Sequence, residues 1–160
     1  SRFMERVHAP PMWRTALRGN NLPDDELVDR WQICRFSPPS HVMIEVGVAL
    51  QGRGGYHADP SVRTGSTVVD FITPETDTTM WYFWGMARNF NVQDEALTER
   101  IRQIQHDVFT EDLQVLERQQ KNLGEQPGRK LLMLNIDAGG VQARRVIDRL
   151  IQLEQAAARA

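Results

Sequence analysis

The residue with the clearest potential for chemistry lies in residues 95–121, a stretch that contains neither Pro nor Gly. If this stretch is drawn as a helix at about 100° per residue, Asp112 falls inside a broad apolar arc. That arc consists of Leu97, Ile101, Ile104, Val108, Val115 and Leu116. A charge on a buried face is costly unless it is paired, hydrogen-bonded or bound to a metal ion. The pattern therefore predicts a partner for Asp112 and leaves open whether that partner is a basic side chain or a metal.

Two further carboxylates interrupt apolar segments that read as β-strands. Glu45 stands within residues 42–50 and Asp70 within residues 67–73, each as the only acidic residue of its strand. Because side chains alternate between the two faces of a strand, each carboxylate shares its face with apolar or small neighbours. It either faces solvent or forms the polar element of a mostly apolar pocket that orients a small ligand.

The elements that must position these groups follow one another along the chain. The patterns predict strands at 1–7, 31–36, 42–50, 67–73 and 79–87, a helix at 95–121 and a second helix from about Asp137. Residues 12–30 predict a loop with at most a short helical turn. Strands joined as hairpins and followed by helices favour the α+β class, with an antiparallel sheet and helices on one side of it.

Composition narrows the function further. The 160 residues, 41% of them hydrophobic, are enough for one domain or a large part of one. A net charge of −2 without a basic segment argues against nucleic acid and membrane surfaces. Cys34 is the one cysteine, which excludes a disulfide framework within the chain and predicts a cytoplasmic protein. The four histidines form no closely spaced pair of metal ligands.

Four stretches of the sequence resemble the oxygenase components of Rieske-type non-haem iron aromatic O-demethylases: residues 31–56, 68–90, 109–123 and 135–151. The resemblance implies a helix-grip fold, a curved antiparallel sheet with a long C-terminal helix packed on it. It also implies that residues 1–160 are the C-terminal part of the catalytic domain. The N-terminal Rieske domain and the first part of the catalytic domain would then precede this chain.

The same resemblance implies two metal centres for the intact protein. A mononuclear Fe(II) is held in this family by two histidines and one aspartate, and Asp112 matches that aspartate. A Rieske [2Fe–2S] cluster occupies the N-terminal domain. The paired histidines and the Cys/His motifs that complete these centres are absent from the 160 residues. This chain alone is therefore expected to supply one iron ligand.

The implied activity is the conversion of vanillate, or a similar aromatic methoxy acid, to protocatechuate and formaldehyde. Electrons would come from NADH through a flavin and iron–sulfur reductase, and the oxygenase would be a homotrimer. Glu45, Asp70 and Gln103 match positions that line the substrate cavity of related enzymes. Two anions there would repel the substrate carboxylate unless one is protonated or a cation such as Arg35 faces inward. The alternative is a non-catalytic helix-grip module that binds a small hydrophobic or aromatic ligand.

Overall fold

The structure is a computed structural model, and it describes residues 1–130 and 132–159. Its strands are β1 (Arg2–His8), β2 (Leu27–Ser37), β3 (His41–Leu50), β4 (Arg63–Pro74) and β5 (Met80–Arg88). Its α-helices are α1 (Pro11–Gly19), α2 (Glu95–Glu125) and α3 (Ala138–Ala157). The predicted α+β class, with an antiparallel sheet and a long helix after it, is confirmed. The helix-grip type stays a prediction.

The five strands form one antiparallel sheet in the order of the sequence, from β1 to β5. Residues directly opposite each other in such a sheet share a face. Asp70 lies opposite Val42 on one side and Trp84 on the other, whereas Glu45 lies opposite Thr67. We call the face that carries Asp70 the helix face and the face that carries Glu45 the outer face.

The main core lies on the helix face, where α1 covers the sheet. Trp13, Ala16 and Leu17 are buried against Val28, Val48 and Phe90, as one cluster. The loop predicted for residues 12–30 is therefore wrong in its first half, and β2 already begins at Leu27. Pro11 suits the first turn of a helix, and the spacing of the three buried residues of α1 gives one apolar stripe. That stripe was the available sign of a helix.

The outer face is held by Trp31, whose indole lies across Gly47. A Cβ at position 47 would come within 2.2 Å of the indole and 2.5 Å of the Thr64 carbonyl oxygen, so only glycine fits. Farther along this face, at the free edge of the sheet, Trp81 and Phe83 are 57% and 55% exposed. The outer face is thus well packed at its centre and apolar but open at β5.

The joint between β5 and α2 is fixed by Arg88. Its guanidinium donates hydrogen bonds to the carbonyl oxygens of Phe90, Asn91 and Asp94 and to the hydroxyl of Thr98. The Asp94 carboxylate accepts from the Leu97 amide at 2.8 Å and caps the first turn of α2. This joint directs α2 along the helix face.

Candidate functional site

The candidate site is built where α2 crosses β5 on the helix face. Leu97, Ile101, Gln105 and Phe109 are half-buried, and their spacing of four residues makes one ridge along the helix. The Phe109 ring centroid lies 5.6 Å from that of Tyr82 and 5.4 Å from that of Trp84. These three rings form an aromatic cluster between the helix and the sheet.

Asp70 lies beside this cluster, in the same sheet face. It is only 4% exposed, and its Oδ1 atom is buried without a hydrogen-bond partner among the described residues. Burial raises the pKa of the Asp70 carboxyl, and the Tyr82 hydroxyl acts in the opposite direction. A buried carboxyl with a free acceptor atom is an unusual feature in a sheet, and it is the kind of group that receives a donor from a ligand.

Tyr82 connects Asp70 to Asp112. Burial raises the pKa of the Tyr82 hydroxyl, the interaction with Asp70 raises it further, and the negative charge of Asp112 adds to the effect. Asp112 follows Phe109 by three residues on α2, and the Phe109 ring contacts the ring of Tyr82. The structure brings two of the predicted site residues, Asp70 and Asp112, to the same region.

The expectation that Asp112 lies on a buried face is wrong in this structure. No residue of α2 is fully buried, and Asp112 is exposed one turn beyond Phe109. The helix contacts the sheet through a ridge spaced every four residues, so the predicted arc, which included Ile104 and Val108, was centred too far to one side. None of the ion pairs of the described residues involves Asp112. Its role as an iron ligand stays a prediction.

Glu45 lies on the outer face and is already satisfied there. Its carboxylate accepts from Arg35 Nε at 2.8 Å and from the Tyr56 hydroxyl at 2.5 Å. The Tyr56 hydrogen bond, followed by that of Arg35, lowers the pKa of Glu45. Glu45 and Asp70 consequently do not line one pocket, and Arg35 does not place its charge on the helix face.

Gln103 is exposed and forms a hydrogen bond along its own helix, from Nε2 to Asp107 Oδ1 at 2.8 Å. Gln105 instead points at the sheet, where its Nε2 lies 3.8 Å from the sulfur of Met86. A cleft of about 600 Å³ runs between α2 and β5 at this point. Its walls include Trp84, Met86, Ile101 and Gln105.

A mononuclear iron would need more ligands than the described residues bring together. The residues that the structure describes contain no group of three or more His, Cys, Asp or Glu side chains that could hold a metal ion. Asp112 offers one carboxylate with its side chain open to further ligands, which fits a single position of a site with two histidines and one carboxylate. Within the same residues, no helix is long and apolar enough to cross a membrane.

Comparison with known families shows to which protein family the chain belongs. The model of the vanillate O-demethylase oxygenase C-terminal domain matches residues 1–153. The chain belongs to this family. The predicted resemblance to the oxygenases of aromatic O-demethylases is thereby confirmed, and the match includes β1–β5, α2 and most of α3.

Individual relatives within the family agree. A vanillate O-demethylase oxygenase subunit of Pseudomonas sp. strain ATCC 19151 is 65% identical over 98% of this chain, and one from strain HR199 is 66% identical over 99%. The oxygenase component of dicamba O-demethylase from Stenotrophomonas maltophilia is 30% identical over 88% of it. The chain spans about half the length of the two vanillate relatives, 47% and 45%. No solved structure matches it.

Sequence reasoning missed Tyr82, Gln105 and Phe109 as members of the site. The alternation of β5 places Tyr82 with Trp84, but the sequence does not tell which face of β5 meets the helix. The four-residue ridge of α2 was present in the sequence as residues 97, 101, 105 and 109. It was obscured because one member is polar and several apolar residues outside the ridge are solvent-exposed.

Proposed function

We propose that the full-length protein is the oxygenase component of an aromatic O-demethylase that acts on vanillate or a closely similar methoxy acid. The methoxy carbon is hydroxylated with O₂ and two electrons from NADH. The hemiacetal then collapses to protocatechuate and formaldehyde, and the second oxygen atom leaves as water. The observation that carries this proposal is 65% and 66% identity to two vanillate O-demethylase oxygenase subunits across nearly the whole chain.

Asp112 is the residue of this chain that would hold a mononuclear Fe(II), together with histidines from a part of the protein that these 160 residues do not include. When bound, the iron supplies the activation of O₂. The exposed carboxylate one turn beyond the aromatic cluster supports this role, because it can accept partners from outside the chain. Two relatives from Comamonas testosteroni, 41% and 40% identical over 79% of this chain, are named as iron-sulfur subunits of toluene-4-sulfonate monooxygenase systems, and this supports a [2Fe–2S] cluster in the full-length protein.

Asp70 would receive the phenol of the substrate. Its Oδ1 atom is a buried acceptor without a partner among the described residues, and two aromatic side chains, Tyr82 and Trp84, flank it. A phenol that donates to this oxygen would satisfy a group that is costly to leave unpaired. Phe109 would then form the helix-side wall for the aromatic ring, since it contacts both flanking rings.

An oxygenase component implies a separate reductase, and we propose a flavin and iron–sulfur protein that carries electrons from NADH. We further propose a cytoplasmic homotrimer. The apolar residues left open on the outer edge, Trp81 and Phe83, support burial of this edge in a larger assembly.

The test is formaldehyde release from vanillate by the full-length protein, supplied with its reductase, NADH and O₂. Equal amounts of formaldehyde and protocatechuate are expected. Consumption of NADH and O₂ without formaldehyde would point to another substrate. If protein that carries both metal centres shows no substrate-dependent O₂ uptake, a non-catalytic binding module would be the better description.

The role of Asp112 is tested in the same preparation. Asp112→Ala is expected to lose the mononuclear iron and keep the Rieske absorption, whereas Glu111→Gln, which removes the neighbouring exposed charge, should keep both. Full iron content in Asp112→Ala would rule out its assignment as a ligand.

A further inference from the structure

If the protein acts as proposed above, the end of the substrate that carries the carboxylate needs a binding partner of its own. An aromatic methoxy acid has a phenol at one end of its ring and a carboxylate at the other. Asp70 suits the phenol as an acceptor but would repel the carboxylate. A donor is therefore needed at some distance from Asp70 on the same face of the sheet, where Trp84, the neighbour of Asp70 on β5, lines the cleft.

Gln105, on the α2 side of the cleft between α2 and β5, is such a donor. Gln105 is half-buried, and its amide nitrogen has only the thioether of Met86 as a partner, at 3.8 Å. A thioether sulfur is a weak acceptor, so this N–H group gains more from an anionic oxygen. Gln105 is thus a half-buried polar side chain of this cleft, and its amide nitrogen has no strong partner of its own among the described residues.

The spacing fits a para-substituted ring. Asp70 lies opposite Trp84, and Met86 is the next residue of β5 on the same face, about 7 Å farther along the strand. A benzene ring with para substituents spans a separation of this order. With the phenol at Asp70, the carboxylate then reaches Gln105, and an ortho methoxy group stays at the phenol end, nearer Asp112.

The electrostatic surroundings favour an anion at this end of the cleft. Arg88 lines the cleft and donates only to carbonyl and hydroxyl oxygens, so no carboxylate among the described residues neutralises it. Arg102 also lines the cleft, but it forms an ion pair with Glu99 that offsets part of its charge. Positive charge therefore lies in the cleft beside Gln105, whereas the carboxyl of Asp70 lies outside its lining, next to Trp84.

We infer that Gln105 binds the carboxylate of the substrate and so selects aromatic acids over neutral methoxy-aromatics. This assignment differs from the one that resemblance suggests, because Gln103 is exposed and already bonded to Asp107. The two assignments, Gln105 and Gln103, predict different effects of substitution on vanillate binding. One pair of variants therefore distinguishes them.

The experiment measures dissociation constants for vanillate and for methyl vanillate, whose ester has no charge, in the full-length protein without O₂. Gln105→Glu is expected to weaken vanillate binding by about tenfold or more, since like charges then face each other. Binding of the ester should stay nearly unchanged. Gln103→Glu should alter neither ligand.

Equal weakening of both ligands by Gln105→Glu would overturn the inference, as would a charge-specific effect at position 103 only. If Gln105→Glu does not fold, Gln105→Met keeps the contact with the sheet and lacks the donor, and vanillate alone should bind more weakly. Formaldehyde release by the unaltered protein, with an unchanged preference for vanillate in the variants, would refute this inference and leave the proposed function standing. Absence of both binding and formaldehyde in the unaltered protein would refute the proposed function instead.

Discussion

Replacing Asp70 by asparagine is expected to stabilise the protein at neutral pH. The carboxyl is 4% exposed, and one of its oxygens has no hydrogen-bond partner among the described residues. A buried polar atom without a partner costs about 1–3 kcal/mol, and a charge costs more. Asparagine has nearly the same shape: its Oδ1 can still accept from the Tyr82 hydroxyl, its Nδ2 replaces the other oxygen, and the negative charge is removed. We expect a gain of about 1 kcal/mol in the free energy of unfolding at pH 7.

The raised pKa of Asp70 determines how the free energy of unfolding changes with pH. Because burial raises the pKa of Asp70 in the folded protein, the folded state holds a proton that the unfolded chain has already released. The free energy of unfolding therefore falls as pH rises from the ordinary Asp pKa through the raised value. Asn carries no such proton. The gain from Asp70→Asn should be absent near pH 3.5, grow across this window and stay constant above it.

Urea unfolding followed by tryptophan fluorescence between pH 3.5 and 7.5 measures this difference. Asp77→Asn, in the exposed connection between β4 and β5, is the control and should show little change at any pH. A loss of stability at pH 7 in Asp70→Asn would show that the charged carboxylate is stabilised in the folded state and would refute the reasoning. The same variant should turn over vanillate more slowly, because stability and activity conflict at a site of this kind.

Three further predictions concern the frame of the site. Gly47→Ala should lower the free energy of unfolding by about 1–3 kcal/mol, since the added methyl group meets the Trp31 indole. In the control variant Gly85→Ala the added methyl group meets one side chain at 3.6 Å, so the free energy of unfolding should change little. Equal losses of stability in the two variants would contradict this explanation. Glu45→Gln should lower the free energy of unfolding by about 1 kcal/mol at pH 7, because it removes a carboxylate whose pKa is lowered by hydrogen bonds in the folded state only. The variant should also lose less stability than the unaltered protein as the pH falls below about 4.5. Parallel curves of unfolding free energy against pH for the two proteins would contradict this prediction. Asp94→Ala should cost about 1 kcal/mol and reduce helicity, and circular dichroism that matches the unaltered protein would show that the cap is dispensable.

Alternation and turn residues were sufficient to predict the five strands and the long helix, because each strand keeps its period over several residues. The helix α1 was missed because nine residues give few turns and its apolar stripe rests on Trp13, Ala16 and Leu17. The relation between the sheet faces is a different problem. Period-2 alternation tells which residues share a face within a strand, but register between strands is set by long-range pairing. Hence Glu45 and Asp70 could be recognised individually, while their separation could not.

The position of Asp112 shows a second limit. A helical wheel identifies an apolar arc, but it does not tell how much of that arc one neighbouring sheet covers. Here the sheet covers the ridge that ends at Phe109, and the residues beyond are open. Gln105 was overlooked for the same reason, since a polar residue inside the contact ridge reads as part of the solvent-facing side.

The attachment of α2 has a consequence for its motion. The helix is fixed by Arg88 at its beginning and by Phe109 at its last aromatic contact with the sheet, while every side chain from Glu111 to Lys121 is exposed. The first half of α2 is therefore held against the sheet, whereas the part after Phe109 extends beyond this contact for about 24 Å at 1.5 Å per residue. Amide hydrogens should therefore exchange slowly up to Phe109 and progressively faster beyond it. Asp112 lies just beyond Phe109, so a bond to its side chain from outside the chain would hold a longer part of α2 in place. Exchange of the amide hydrogens that follow Phe109 would then be slower.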